Sequence, residues 1–333
     1  MRAHLVKQKA IGLGVSVAVM ALAACGNQGA QRTANTYMLI SAMTVRAMAA
    51  VQPPASFVGL TPPDSPPSAA GRLALYSTAN GKRLRFLTAQ EPGHGAFNPV
   101  VSPDGRTVAF ERSAGSCSET IDAVPIDGGR PRVLIPMKFS GGRRIVPSSP
   151  AYSSDGRYLA YLTTGCSVSS HDVIHVRNLR TGRELTGHGY MPERAIFVNN
   201  NRQLVFVDGG ALVVVRIPSF ARHTVQPPRG CQYMLLAGTE TKLAATVECG
   251  RRHAVSIVAI STRTFTVTKT VLRLSHCPTC TDLSFAATDP SALLVATDTP
   301  CLAVRGSIYV IRGQTARLVR SGSAQKLPYE IAW

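Results

Sequence analysis

Acidic residues are scarce. Asp plus Glu number 18 against 36 Lys plus Arg, a formal net charge of +18 over 333 residues. Charged residues are only 16% of the chain, below the usual quarter. Hydrophobic residues are 45%, which excludes a mainly disordered protein and supplies a sizeable core for one large domain or two ordinary ones. Aromatics are 6% with a single Trp, little material for a sugar-binding surface. Long apolar runs are absent too: Ile11 to Leu22 is too short to span a bilayer comfortably. No GxSxG elbow, HExxH pair, Walker A loop or dinucleotide fingerprint occurs. Eight cysteines are too few for a small disulfide-stapled scaffold.

The N-terminus is read as separate from the fold. Arg2, Lys7 and Lys9 precede the apolar stretch, and Ala23, Ala24 and Cys25 follow it, the layout of a secretory signal. Leu22-Ala23-Ala24-Cys25 resembles the lipobox of bacterial lipoproteins. The resemblance implies a signal peptide over 1–24, a lipidated Cys25 as first mature residue, and a chain held outside the cytoplasmic membrane by lipid alone. An ordinary signal peptide with a chance Cys is the rival reading. Residues 25–70 then read as the lipidated Cys and a stalk, because Pro53, Pro54, Pro62, Pro63, Pro66 and Pro67 favour an extended spacer. Within it, residues 37–50 suit a short helix or an added strand.

From Gly71 onward the apolar runs are short and rich in Val, Leu, Ile, Tyr and Phe, an all-β signal. Two units are alike: AFNPVVSPDGRTVAFERS at 96–113 and SSPAYSSDGRYLAYLTT at 148–164. Each reads strand, tight turn, strand. Asp104-Gly105 and Asp155-Gly156 suit a hairpin, since Gly takes a positive φ and Asp bonds its own backbone. Weaker copies lie at 194–209, with Asn199-Asn200-Asn201 in the turn, at 231–249 and at 280–298. A third strand follows each, and a fourth often does. The spacing of 37–51 residues between units is that of a four-stranded propeller blade.

These repeats resemble the WD40-like PD40 repeats of the TolB-like β-propellers. Pro99, Ser102, Pro103, Asp104, Gly105, Arg106, Val108, Ala109 and Phe110 carry the likeness, as do Pro150, Tyr152, Ser153, Asp155, Gly156, Arg157, Leu159, Ala160 and Tyr161 in the second copy. Ser154 stands where the family has Pro. The resemblance covers about 71–333 and implies an all-β propeller there. KLPYEIAW at 326–333 reads as a first strand, and 72–88 as third and fourth strands. Joined, they give a composite blade without an obvious second strand, and six blades in all, with seven as the alternative.

Within such blades the start of strand one lies beside the end of strand two. That pairs Cys231 with Cys249, and Cys280 or Cys277 with Cys301. Cys117 and Cys166 occupy matching loops of successive blades and pair across the boundary. The Cys277–Cys280 spacing is that of redox motifs, but the strand-rich context favours structural disulfides. Asp104, Asp155 and Asn199–Asn201 are read as turn residues rather than metal ligands, and His171 and His175 as a surface and a strand residue. No catalytic residue, metal or cofactor is assigned.

The arginines are dispersed, without the interleaved aromatics of a single-strand groove, so nucleic acid is not the expected partner. An anionic wall or lipid surface, or an envelope protein, is expected instead. The family resemblance implies a protein-interaction module, here a monomer with no catalysis. The separate N-terminal α/β domain that accompanies the propeller in that family is not expected here. The alternatives are a metal-dependent propeller enzyme (lactonase, lyase or glycan-active) working in the central channel, and a sugar or cell-wall polymer binder.

Overall fold

The computed structural model describes the strand residues 19–20 and 37–38, then 55–61, 71–89, 91, 93–115, 117–166, 172–191, 194–250, 254–274, 279–285, 291–298, 306–312, 315–322 and 329–333. A short ladder joins β1 (Val19–Met20) to β2 (Tyr37–Met38). The remaining sheets are the six blades of an all-β propeller, A to F.

Blade A is ordered β27 (Tyr329–Ala332), β3 (Ser56–Thr61), β4 (Arg72–Ser77), β5 (Arg83–Phe86). Blade B holds β6 (Gly95–Val101), β7 (Thr107–Ser113), β8 (Glu119–Pro125) and β9 (Arg132–Ile135). Blade C has five strands: β10 (Lys138–Ser140), β11 (Arg143–Tyr152), β12 (Tyr158–Gly165), β13 (Val173–Asn178) and β14 (Glu184–His188). Blade D runs through β15 (Ile196–Val198), β16 (Gln203–Asp208), β17 (Ala211–Arg216) and β18 (Arg222–Val225). Blade E comprises β19 (Cys231–Gly238), β20 (Leu243–Cys249), β21 (Ala254–Ile260) and β22 (Val267–Leu274). Blade F comprises β23 (Thr279–Phe285), β24 (Ala292–Asp298), β25 (Gly306–Arg312) and β26 (Thr315–Gly322).

The strand missing from the composite blade is β3. Its residues SFVGLT sit inside the segment read as stalk, so the domain reaches back at least to Ala55 and the boundary at 70 is corrected. β3 pairs β4 from Ser56↔Ser77 to Thr61↔Arg72, and β27 at Tyr329↔Leu60 and Ala332↔Val58. Prolines flank this run, and Pro is tolerated at strand ends while it cannot donate within a ladder. Phe57, Val58 and Leu60 are buried. The structure also adds two strands to the expected plan, β10 and β14, both in blade C.

The inner strands β27, β6, β11, β15, β19 and β23 touch in turn and return to the start. Among the described residues, an apolar cluster fills every seam of this ring. Phe57, Tyr76, Leu294, Val310 and Trp333 join A to F. Leu60, Leu73, Val108 and Phe110 join A to B. Leu162, Ile174, Phe197 and Phe206 join C to D, and Val205, Tyr233, Val247 and Val258 join D to E. Ile257, Leu293 and Ile311 join E to F, while the smaller B–C cluster has Ala109, Ile121, Ile135, Leu159 and Tyr161 as its buried members. Each blade is apolar on both faces because each packs on two neighbours. Closure packs every blade between two others and leaves only short, protected edges.

Candidate functional site

One face of the ring is made by the turns between strands one and two and between strands three and four. Its chemistry starts with the Asp-Gly hairpins. In blade B, Ser102 Oγ donates to Asp104 Oδ1 at 2.6 Å, Arg106 N donates to the same oxygen at 3.1 Å, and Thr107 N donates to Ser102 Oγ at 2.9 Å. Blade C repeats this through Ser153, Asp155, Arg157 and Tyr158 at 2.6, 3.0 and 2.8 Å. Gly105 and Gly156 hold φ of 70° and 68°, left-handed values that favour glycine. In blade D, Asn199, Asn200 and Asn201 all take positive φ, between 54° and 60°. The Asp104 carboxyl is held below its ordinary range, first by the Ser102 hydroxyl and then by the Arg106 amide. These acids are occupied by their own turns. Among the described residues, no group of three or more His, Cys, Asp and Glu converges as a metal site would need.

The residue just before each second strand is exposed and cationic in four successive blades: Arg106, Arg157, Arg202 and Lys242. The outer turns of the same face add exposed Lys82, Arg130, Arg180, Arg183 and Arg263. Against them stand Asp104, Asp155, Asp127 (paired to Arg85 at 3.2 Å) and Glu240. The chain enters the ring on this face, since Ala55 O accepts from Thr78 N at 3.0 Å beside the β4–β5 turn.

The channel opens at the centre of the collar. A cavity of ≈ 160 Å³ is lined by Pro99, Val101, Ala151, Phe197, Leu236 and Trp333 among others. Its charged groups are committed to the frame. Arg194 Nη2, at the start of blade D, donates to Ile331 O of blade A at 2.9 Å. A and D are opposite blades, so this bond crosses the axis. Glu240 Oε2 accepts from Ser154 Oγ at 2.7 Å and Oε1 from Asn200 N at 2.8 Å, joining blades C, D and E. Trp333 N donates to Ser284 Oγ at 3.0 Å, while the indole Nε1–H is buried without a partner. A Cβ at Gly238 would meet Leu243 Cδ2 at 2.4 Å and Ile196 Cγ2 at 2.9 Å, so the wall is close-packed. A polar cleft of ≈ 650 Å³ adjoins the mouth between blades B and C, lined by Asp104, Arg132, Tyr152, Asp155 and Arg177. Burial pushes the Tyr152 hydroxyl up to about 12.

The cysteines fall on the blade plan. Cys117 and Cys166 are bonded across the B–C seam with Cα atoms 5.8 Å apart. Cys231 and Cys249 are bonded within blade E, opposite each other in the β19–β20 ladder, at 4.1 Å. Cys25, Cys277 and Cys301, and the side chain of Cys280, lie outside the described residues, as do His171 and residues 39–50.

His175 is a strand residue, stacked on Tyr161 with ring centroids 4.6 Å apart. Its Nε2 lies 2.8 Å from Thr163 Oγ1 and its Nδ1 3.4 Å from Glu184 Oε2, while Tyr161 donates its hydroxyl to Glu184 Oε1. Burial lowers the His175 pKa and outweighs the Glu184 carboxylate, which raises it. Neither cavity is lined by this group. Arg194, Glu240 and Trp333 carry no motif, and nothing in the sequence marks them except the place of Glu240 in a first turn.

The fold defines a six-bladed β-propeller closed by strands from both ends of the described domain. No family model matches the sequence, and no curated protein does. Among solved structures, TolB from Acinetobacter baumannii matches with a TM-score of 0.61 at 16% identity, over 84% of this chain and 65% of that one. The periplasmic gluconolactonase of Pseudomonas aeruginosa matches with a TM-score of 0.49 at 12% identity, over 83% and 98%. The likeness to TolB is one of fold, and this chain spans 65% of TolB's length.

Proposed function

We propose that this protein is a lipid-anchored, extracytoplasmic propeller that acts as a binding or scaffold module. Its turn face docks on an envelope partner or an anionic surface. The observation that carries the reading is the collar of Arg106, Arg157, Arg202 and Lys242 around a mouth whose Arg194 and Glu240 already bond the frame. Charge concentrated on one face steers and orients an oppositely charged partner. The lipobox-like Leu22–Cys25 supports the anchor, and the TolB-type ring supports the scaffold role.

The test places a photo-crosslinking residue at Arg202, and separately at exposed Phe139 on the opposite face, in cells. Crosslinks to envelope components from position 202 and few from 139 are expected. Equal labelling from both contradicts the reading. Mass analysis of the mature N-terminus tests the anchor: a diacylglyceryl-modified Cys25 is expected, and an unmodified one contradicts it.

A further inference from the structure

The turn face brings together two features that sequence order keeps apart. One is the repeated cation: Arg106, Arg157, Arg202 and Lys242 each stand exposed at the same blade position. The other is the entry of the chain, since Ala55 bonds Thr78 on this face. About thirty residues separate Cys25 from Ala55, a length that spans at most about 100 Å when extended. On the anchored reading, a tether rooted at Cys25 joins the ring on the cationic side and is long enough to let that side lie against the membrane.

We infer that the turn face lies on an anionic phospholipid surface, with the four cations against the headgroup phosphates. The inference rests on the anchored reading of Proposed function and names the partner of that face. Charge complementarity and tether position select the bilayer over a folded acidic protein, because the cations are spread around a ring rather than gathered in one cleft. Dispersed cations suit a surface whose charges are laterally mobile, and each adds its attraction separately. Screening by salt follows, because exposed charges interact over about a Debye length.

The experiment uses the full chain carrying Cys25→Ser, which removes the lipid but leaves every other residue. Vesicles of 30% phosphatidylglycerol in phosphatidylcholine are compared with phosphatidylcholine alone. The Ile11–Leu22 stretch and the Arg2, Lys7 and Lys9 before it contribute equally to every variant, so the readout is the change each substitution makes in the ratio of the two partition coefficients. Arg106→Glu/Arg157→Glu is set against Arg143→Glu/Arg144→Glu, an equal charge change on the opposite face. The first pair is expected to lower the ratio about tenfold or more, the second less than about twofold. Melting temperatures confirm that both remain folded. A ratio of one for the parent, or an equal or larger loss from the Arg143/Arg144 pair, overturns the inference. Binding to soluble poly-L-glutamate without any preference for the anionic vesicles also overturns it, in favour of an acidic protein. A mass difference between the unsubstituted and Cys25→Ser chains recovered from bacterial membranes that equals the sulfur-for-oxygen exchange alone contradicts the anchor, and leaves the vesicle comparison to decide the face.

Discussion

The seam between blades C and D and the seam between B and C are built from opposite materials. C and D meet through twelve buried apolar residues, with Phe197, Phe206 and Met191 fully enclosed. B and C share five. Val100, Leu134 and Tyr152 pack half-buried against these five, and polar and covalent links complete the B–C seam. Glu111, largely buried on β7, accepts from Asn98 Nδ2 of its own blade at 2.8 Å and from Ser149 N of the next at 2.5 Å. Asn98 and Ser149 are equivalent bulge residues with φ of 47° and 54°. A bulge turns one backbone N–H out of the ladder, and here the neighbouring carboxylate takes it. The Cys117–Cys166 disulfide then closes the seam at the opposite face. One ring thus uses two ways of joining identical blade plans. The apolar seam responds to lost volume, and the polar seam responds to reduction and protonation.

The largest expected effect comes from ring closure, on which both seams depend. Ile331 is fully buried between blades A and F. Ile331→Asp places an unpaired charge there and is expected to cost more than about 4 kcal/mol. Urea unfolding checks it, and a cost under about 1 kcal/mol removes β27 from the closure. Next comes Phe206→Ala in the apolar seam, expected to lose about 3–5 kcal/mol through the cavity it leaves. Removal of Cys117 and Cys166 is expected to cost about 2–4 kcal/mol, and more than removal of Cys231 and Cys249. Their separations in sequence are 49 and 18, and the longer loop restrains the unfolded chain more. Equal losses would show that the B–C staple adds nothing beyond a local hairpin link.

The smallest effect is the pH response of the B–C seam. Burial raises the Glu111 pKa above its ordinary value of 4.5, against the bonds from Ser149 and Asn98. The folded state therefore binds more protons than the unfolded one between 4.5 and the raised value. Through that group, stability falls as pH rises across this window. His175 has the opposite sign. Its pKa is depressed below 6.5, mainly by burial, with Lys138 adding to the depression and Glu184 opposing it. Its contribution is present above 6.5 and is lost as pH falls from there through the depressed value. Glu111→Gln is expected to remove the first slope and His175→Gln the second, read as melting temperature from pH 4 to 8. An unchanged profile in both variants would leave the polar seam without a role in acid stability.

The repeat was legible in the sequence because turn chemistry is local. Ser102–Gly105 and Ser153–Gly156 declare their hairpins within four residues, and Asn199–Asn201 adopt the left-handed backbone their side chains tolerate. The C-terminal first strand was legible as well, since an apolar run lacking its turn must pair with something. β3 was hidden because proline density on both sides outweighed six residues of strand pattern. β14 was missed because Glu184 to His188 is polar at an outer position. The channel residues were illegible for another reason. Arg194 and Ile331 are 137 positions apart, and only ring closure makes them meet. The cationic collar lay between these cases. Arg106 and Arg157 were visible beside their motifs, while Arg202 and Lys242 gain meaning only when the blades are set side by side.

The single Trp offers the most direct test of the central claim, that strands from both ends of the domain close one ring. Trp333 is 4% exposed, packed between blades A and F and bonded through its amide to Ser284. Its fluorescence is followed through urea unfolding beside far-ultraviolet circular dichroism of the whole ring. Coincident transitions are predicted, because opening the A–F seam removes the closure every other seam relies on. A Trp333 transition at clearly lower urea, with the sheet signal unchanged, contradicts the account.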